Sequence, residues 1–159
     1  MESPLQLKDF AKAALIYRGA EIPYSQAIAR TERLSAAYRL EPGARAAIFC
    51  ENRPEWVYGL YSVWRHRGIA VPIDHLAPAE EAAYILNDCR PEAVFCSERT
   101  RQVLDQAMAG LPEAARPRVI AFDPMPEGPA GAAPPDAATA GGDQAAILET
   151  SGSTRRPKA

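Results

Sequence analysis

A short run near the end of the sequence combines hydroxyl side chains, a glycine and a lysine: Thr150-Ser151-Gly152-Ser153-Thr154-Arg155-Arg156-Pro157-Lys158. It follows an apolar run, residues 145–148, that is typical of a buried strand. In a turn after such a strand, backbone N–H groups and hydroxyls converge on an anion, and Lys158 adds a mobile positive charge. This is phosphate-binding chemistry. The composition also fits an ordinary polar terminal segment, because Ser, Thr, Gly and Pro mark loops in general.

The elements that must position this loop alternate between short apolar runs and amphipathic segments. The apolar runs predict strands over residues 46–50, 69–73, 94–96 and 119–122. Helical spacing predicts helices from Ser25 to Tyr38, from Asn52 to Gly68, from Pro78 to Cys89 and over residues 103–111. A hairpin is predicted from residues 13–17 and 21–24. The alternation predicts an α/β fold with a mostly parallel sheet and flanking helices.

Three local features sharpen this prediction. Ser25 and Asn52 are suitable N-caps for their helices, and Pro54 suits a first helical turn. The stripe predicted to pack the second helix on the sheet consists of Trp56, Val57, Leu60, Tyr61 and Trp64. Pro72 lacks an N–H group, which favours an edge position for its strand.

The composition is that of a globular protein, with 47% hydrophobic residues in a chain of 159. The net charge of −2 argues against a nucleic-acid partner, and no long apolar run predicts a transmembrane segment. Three cysteines without metal-type spacing favour a reducing, cytoplasmic location. His66 and His75 lack ligand-type neighbours at useful spacing, so no metal site is predicted.

The sequence divides into three parts on these grounds. Residues 1–123 form the predicted α/β half-domain. Residues 124–143 are rich in Pro, Ala and Gly and predict a flexible linker. Residues 144–159 contain the strand and the phosphate-binding loop.

The order of residues in the loop resembles the phosphate loop of the AMP-forming adenylating enzymes, a family of acyl-CoA synthetases, luciferases and peptide-synthetase adenylation domains. The usual form is Thr-Ser-Gly-Ser/Thr-Thr-Gly-x-Pro-Lys-Gly, and seven specified positions match here. A Walker loop differs, because its lysine is followed directly by Ser or Thr. Arg155 and Ala159 stand where the family has glycine, and Glu149 stands where it usually has an aromatic residue.

Earlier segments also resemble the large N-terminal domain of acyl-CoA synthetases, in the same order. They are Tyr24-Ser25, Asn52-Arg53-Pro54-Glu55-Trp56, residues 68–73, and residues 78–81 followed by residues 84–88. The run that begins at Asn52 is similar to fatty-acyl-CoA synthetases rather than to peptide-synthetase domains. The resemblance therefore implies the adenylate-forming fold and a fatty acid as the carboxylic acid substrate.

Such an enzyme activates the acid as an acyl-adenylate, at the expense of ATP, and transfers the acyl group to coenzyme A. The resemblance implies that one set of residues holds the β- and γ-phosphates, with Mg²⁺ offsetting their charge: Thr150, Ser151, Gly152, Ser153, Thr154 and Lys158. Such a loop acts chiefly by orientation and electrostatics. The family's catalytic lysine, acyl tunnel and adenine contacts are expected beyond Ala159, so no catalytic residue is assigned here.

Alternatives of other classes stay open. One is a non-catalytic truncated relic or interaction subunit, which Arg155 and Ala159 favour. A second is a fragment of a peptide-synthetase-type adenylation domain. A third is a free-standing, doubly wound nucleotide-binding module, although no Gly-x-Gly-x-x-Gly follows an early strand.

Overall fold

The computed structural model describes residues 8–132 and 144–148, together with the backbone of residues 150–151 and 157–158. The strands are β1 Ala13–Tyr17, β2 Ala20–Pro23, β3 Arg45–Phe49, β4 Ile69–Ile73, β5 Ala93–Cys96, β6 Arg118–Ala121, β7 Thr150–Ser151 and β8 Pro157–Lys158. The helices are α1 Tyr24–Ala36, α2 Pro54–Arg65, α3 Ala79–Cys89 and α4 Glu98–Ala109, with a short 3-10 helix at Glu113–Ala115. The predicted alternation of strands and helices is confirmed, and so is the β1–β2 hairpin.

Four strands form a parallel sheet in the order β4-β3-β5-β6. In its register Arg45 pairs with Ile69, Ala46 pairs with Ala93, and Ala93 pairs with Arg118. Residues 46–49 are all buried, as expected of a strand covered on both faces by helices. The predicted α/β fold with a parallel sheet and flanking helices is confirmed.

Two apolar cores lie on opposite faces of this sheet. Ala46 and Ile48 of β3 face the core that includes α1 and α2. Ala47 and Phe49 face the core that includes α3 and α4. This division follows from the two-residue period of a strand, which points successive side chains to opposite faces. The three cysteines, Cys50, Cys89 and Cys96, are buried thiols within these cores.

The structure corrects three predicted helix starts. α1 begins directly after Pro23 and α2 after Arg53, and neither N-cap makes a side-chain hydrogen bond, so the caps predicted at Ser25 and Asn52 are wrong. Pro54 supplies a helical φ at the first position, which fixes the start of α2 without a cap. α4 begins earlier than predicted, at Glu98, because a capping box forms between Ser97 and Thr100.

The buried face of α2 also differs from the predicted aromatic stripe. The buried residues are Pro54, Tyr58, Gly59, Ser62 and Val63. A Cβ atom at Gly59 would lie 2.8 Å from Cζ of Phe122, so the ring after β6 reaches the helix axis only because residue 59 has no side chain. The buried face therefore includes two small residues, Gly59 and Ser62, and every member of the predicted stripe is only partly buried.

The chain after β6 runs back over α1. The N–H of Gly128 donates to the carbonyl of Arg33 at 2.8 Å. The carboxylate of Glu127 pairs with Arg30 and, at 2.8 Å, with Arg33. Residues 124–132, which composition assigned to a flexible linker, thus have specific partners on α1. Residues 133–143 lie outside the described residues, and the proposed division into domains stays a prediction.

Candidate phosphate-binding edge

Residues 144–148, here called the edge segment, lead the chain into the predicted phosphate loop. Ala146 forms a parallel bridge with Ala70 of β4. Ala70 N donates to the carbonyl of Ala145 at 3.1 Å, and Ile147 N donates to the carbonyl of Ala70 at 2.9 Å. Because the edge segment runs parallel to β4, it ends at the edge where β3, β4, β5 and β6 also end. In α/β folds ligands bind outside this carboxyl edge of the sheet.

The two ends of the predicted loop pair with each other. β7 and β8 are antiparallel, with Thr150 opposite Lys158 and Ser151 opposite Pro157. The pairing therefore brings the backbone of three predicted site residues, Thr150, Ser151 and Lys158, together. The other three, Gly152, Ser153 and Thr154, lie outside the described residues, as do Glu149, Arg155 and Ala159. The role of all six predicted site residues in holding phosphates stays a prediction.

A charged cluster centred on Arg53 lies at the same edge, where β3 and β6 end. Its Nη2 lies 2.8 Å from Oδ1 of Asp123, and its Nη1 donates to Oδ2 at 3.0 Å. Its Nε donates to Oε2 of Glu55 at 2.7 Å. Nη1 also lies 3.6 Å from Oε1 of Glu51. One guanidinium thus engages three carboxylates, one of them in the two-point geometry that planar guanidinium favours.

The surroundings of this cluster favour the ionised forms of Asp123 and Glu51. The hydrogen bond from Arg53 lowers the pKa of Asp123, and the N–H of Glu98, 2.8 Å from Oδ2, adds to the effect. Partial burial opposes ionisation of Glu51, but the Ser97 hydroxyl, 2.5 Å from Oε2, and the charge of Arg53 outweigh it and lower its pKa. Asp123 and Glu51 therefore act as fixed charges rather than as proton donors at neutral pH.

A hydroxyl network ties the turn after β5 to the end of β3. Ser97 N donates to Oγ1 of Thr100 at 3.2 Å, which forms one half of the capping box of α4. Oγ1 of Thr100 in turn donates to the carbonyl of Phe49 at 2.6 Å. Both hydroxyl residues are buried. These bonds hold two neighbouring turns of the carboxyl edge in one arrangement.

Cys50 directly precedes Glu51 of this cluster, and its environment keeps its thiol protonated. Burial, with the negative charge of Glu51, raises the pKa of the Cys50 thiol to about 12. The thiolate is the reactive form of cysteine, so this side chain does not attack a substrate at neutral pH. The chemistry that the described residues offer at this edge is electrostatic and positional.

Sequence reasoning did not single out the cluster formed by Glu51, Arg53, Ser97 and Asp123. A usable pattern was present, because each of these residues closely follows a buried strand. The carboxyl ends of parallel strands share one edge, so such residues come together in space. The partners across the cluster, however, depend on strand order, which apolar periodicity does not specify.

A cleft of about 390 Å³ opens between β1 and the start of α2. Leu15, Ile16, Trp56 and Val57 supply apolar walls, and Arg53 supplies a cation. Arg53 is already engaged by its three carboxylates, so the cleft does not suit a phosphate. The predicted loop, and not this cleft, is therefore the candidate site for anion binding.

Within residues 8–132 and 144–148, no group of three His, Cys, Asp or Glu side chains is arranged to hold a metal ion. In the same residues, no helix has the length and apolar character needed to cross a membrane.

Comparison with known proteins identifies relatives for nearly the whole chain. A model of the AMP-binding enzyme family matches residues 6–159. The phosphinothricin tripeptide synthetase PhsB of Streptomyces viridochromogenes is 35% identical over 148 residues, which cover 88% of this chain and 12% of that protein.

Two solved structures are similar in both fold and sequence. The inhibitor-bound N-terminal domain of FACL13 from Mycobacterium tuberculosis matches with a TM-score of 0.74 and 25% identity, over 88% of this chain and 37% of that one. ATP-bound MatB from Rhodopseudomonas palustris matches with a TM-score of 0.75 and 26% identity, over 96% of this chain and 32% of that one. The chain therefore spans well under half the length of each of these three proteins.

Proposed function

Since the chain belongs to the family of AMP-binding enzymes, we propose that it forms the phosphate-binding front part of an ATP-dependent acid–CoA ligase. The complete enzyme activates a carboxylic acid as its acyl-adenylate and transfers the acyl group to coenzyme A. The run from Asn52 to Trp56, which is similar to fatty-acyl-CoA synthetases, favours a fatty acid. Buried thiols at Cys50, Cys89 and Cys96 suit a cytoplasmic enzyme.

One observation supports the proposal: the edge segment runs parallel to β4 toward the carboxyl edge of the sheet, and β7 pairs with β8 at the two ends of the loop that follows. The residue types fit a polyphosphate, since hydroxyls and N–H groups donate hydrogen bonds and Lys158 supplies charge. In the proposed arrangement Thr150, Ser151, Gly152, Ser153, Thr154 and Lys158 hold the β- and γ-phosphates, while Mg²⁺ enters with the nucleotide. ATP, when bound, supplies the AMP group that activates the acid.

Equilibrium binding tests this role directly on the 159-residue chain. We expect Mg–ATP and pyrophosphate to bind in calorimetry, and AMP to bind much more weakly because it lacks the β- and γ-phosphates. Lys158→Ala should weaken binding of ATP and pyrophosphate about tenfold or more, the value of a charge-assisted hydrogen bond. Lys12→Ala, an exposed lysine beside Phe10, is the matched control. Equal affinity of the wild type for ATP and AMP would exclude the assignment.

The chain alone should not catalyse, since the acid site and the catalytic lysine of the family are expected beyond Ala159. No acid-dependent exchange of pyrophosphate into ATP is expected with a panel of fatty and aromatic acids. Exchange above the blank without acid would show that these residues contain a complete active site.

A second candidate is the adenylation domain of a peptide synthetase, favoured by 35% identity to a protein named as a tripeptide synthetase. The two candidates differ in the acceptor of the acyl group, which is coenzyme A in one and a carrier domain in the other. The reading frame beyond Ala159 separates them. A carrier domain following the adenylating region would support the peptide synthetase, and its absence would support the CoA ligase.

A further inference from the structure

Trp64 holds the segment that leads into the predicted phosphate loop. Its indole Nε1 donates to the carbonyl of Ala145 at 2.9 Å. The same oxygen accepts from Ala70 N at 3.1 Å, so both of its lone pairs are used. A side chain from α2 and a backbone group from β4 thus converge on one atom of the edge segment.

Backbone pairing alone attaches this segment weakly. Ala70 and Ala146 form a single bridge, with two backbone hydrogen bonds. In a parallel ladder alternate residues point their N–H groups to the same side, so the next donor toward the edge segment would be residue 72. That residue is Pro72, which has no N–H to give. In this register the donor missing at Pro72 would face the carbonyl of Ile147. The indole adds a third bond two residues earlier, at the carbonyl of Ala145.

Side-chain packing does not replace this bond on the outer face. Ile147 packs against the core that contains Val71, whereas Ala146 is exposed and Leu148 is 67% exposed. Only the inward-facing side of the edge segment is therefore supported by apolar contact.

The indole is itself held in one orientation. Tyr61 packs edge-to-face against it, with ring centroids 5.1 Å apart and planes at 82°. Trp64 lies in the last turn of α2, and the chain passes from there into β4. The two donors to the Ala145 carbonyl, Trp64 on α2 and Ala70 on β4, thus belong to consecutive elements of the chain.

We propose that Trp64 is a positioning residue for the phosphate loop, which it aligns through the carbonyl of Ala145. This inference rests on the proposed function. Displacements of about 1 Å change the effectiveness of a binding constellation greatly, so a restraint just before the loop affects phosphate affinity. The residue acts through the edge segment and does not itself touch a phosphate.

The test compares Trp64→Phe with Trp56→Phe, because these are the two tryptophans of the chain and both lie on α2. Each variant keeps an aromatic ring and loses an indole N–H. Amide exchange by NMR is measured at Ala70 and Ile147 and, as a reference, at Ile48 in the centre of the sheet. Mg–ATP affinity is measured on the same samples.

We expect Trp64→Phe to speed exchange at Ala70 and Ile147 about fivefold, the value of one lost hydrogen bond. Exchange at Ile48 should be unchanged. ATP affinity should also fall about fivefold, because the same hydrogen bond is lost. Trp56→Phe should leave all of these values unchanged. Unchanged exchange at Ile147 in Trp64→Phe, or unchanged ATP affinity despite faster exchange, would overturn the inference.

The wild type provides a measurement that does not depend on the variant's folding. A long-range HNCO experiment should detect coupling between the indole nitrogen of Trp64 and the carbonyl carbon of Ala145. If that coupling and the exchange effect are present but the wild type binds no ATP, the proposed function fails while the restraint on the edge segment stands. Absence of the coupling would contradict the restraint itself.

Discussion

Arg53 and Asp123 form a two-point ion pair, with Nη2 2.8 Å from Oδ1 and Nη1 donating to Oδ2 at 3.0 Å. The residues lie 70 positions apart in the sequence. Their pairing joins the start of α2 to the end of β6, across the sheet position of β5. It therefore fixes the spacing of the turns at the carboxyl edge.

Replacing Arg53 by lysine tests the importance of this geometry. Lysine keeps the charge but is a point donor, so it cannot engage Asp123 at two points while also reaching Glu55. We expect Arg53→Lys to lower the free energy of unfolding by about 2 kcal/mol in urea denaturation. Arg99→Lys, at an exposed position on α4, is the matched control and should change little. Equal stability of the two variants would show that charge alone suffices at residue 53.

His66 is buried, and its Nε2 lies 3.0 Å from the carbonyl of Ser35. Burial lowers the pKa of His66; the Ser35 hydrogen bond opposes this, and the charges of Arg39, Arg65 and Arg118 reinforce it. The unfolded chain, with a pKa near 6.5, then binds a proton before the folded chain does. The contribution of neutral His66 to stability is thus complete above about pH 6.5 and is lost as the pH falls below that value.

Removing this group should flatten the pH profile of stability. His66→Gln should show a smaller loss of unfolding free energy between about pH 7 and pH 5 than the wild type, because glutamine does not titrate. His75→Gln removes the second histidine, whose Nδ1 lies 3.5 Å from Oδ1 of Asp74, and is the matched control. A wild-type slope in His66→Gln would assign the pH dependence to other groups.

Gly128 approaches α1 so closely that a Cβ atom would lie 2.3 Å from the carbonyl carbon of Ala36. Gly128→Ala must therefore shift backbone atoms, and we expect it to destabilise the chain by about 1–3 kcal/mol. Gly110→Ala is a matched control, since the nearest atom to its added Cβ is 3.7 Å away. Thermal melting of both variants provides the measurement. A Gly128→Ala variant as stable as the wild type would mean that residues 124–132 do not need their place on α1.

Arg155 stands in the predicted loop where the resemblance indicates glycine. If that position requires positive φ, a side chain there costs about 1 kcal/mol, and an added guanidinium contact to phosphate slows reopening of the loop. The loop should be transplanted into a full-length relative with and without Arg155→Gly. We expect glycine to raise turnover at least severalfold, with little change in ATP affinity. Equal turnover would make Arg155 a tolerated variant.

Local sequence patterns correctly predicted the features that depend on a single element of the chain. The apolar face predicted for α3, which consists of Ala82, Ile85, Leu86 and Cys89, is its buried face. The edge position predicted for Pro72 is also correct within the four-stranded sheet, and the missing N–H points away from β3. In both cases one local property, helical spacing or the proline ring, decides the outcome.

Two of the misses, the buried face of α2 and the Arg53–Asp123 pair, depend on partners distant in sequence, whereas the start of α4 depends on a local cap. The face of α2 is chosen by Gly59 and Phe122, which meet only after β6 has joined the sheet. The start of α4 depends on a Ser97–Thr100 capping box, a short-range pattern that apolar spacing ignores. The Arg53–Asp123 pair likewise requires knowledge of strand order. The phosphate loop was predicted from residue order, and three of its six predicted site residues lie outside the described structure.

The most direct test of the account is to map where pyrophosphate binds. Pyrophosphate is titrated into the isotopically labelled chain, and amide shifts are followed by NMR. We expect perturbations at Ile147, Leu148, residues 150–156 and Lys158, and their loss in Lys158→Ala. Shifts at Leu15, Ile16 and Trp56 instead, around the cleft between β1 and α2, would contradict the assignment of the phosphate site, as would a titration without any shifts.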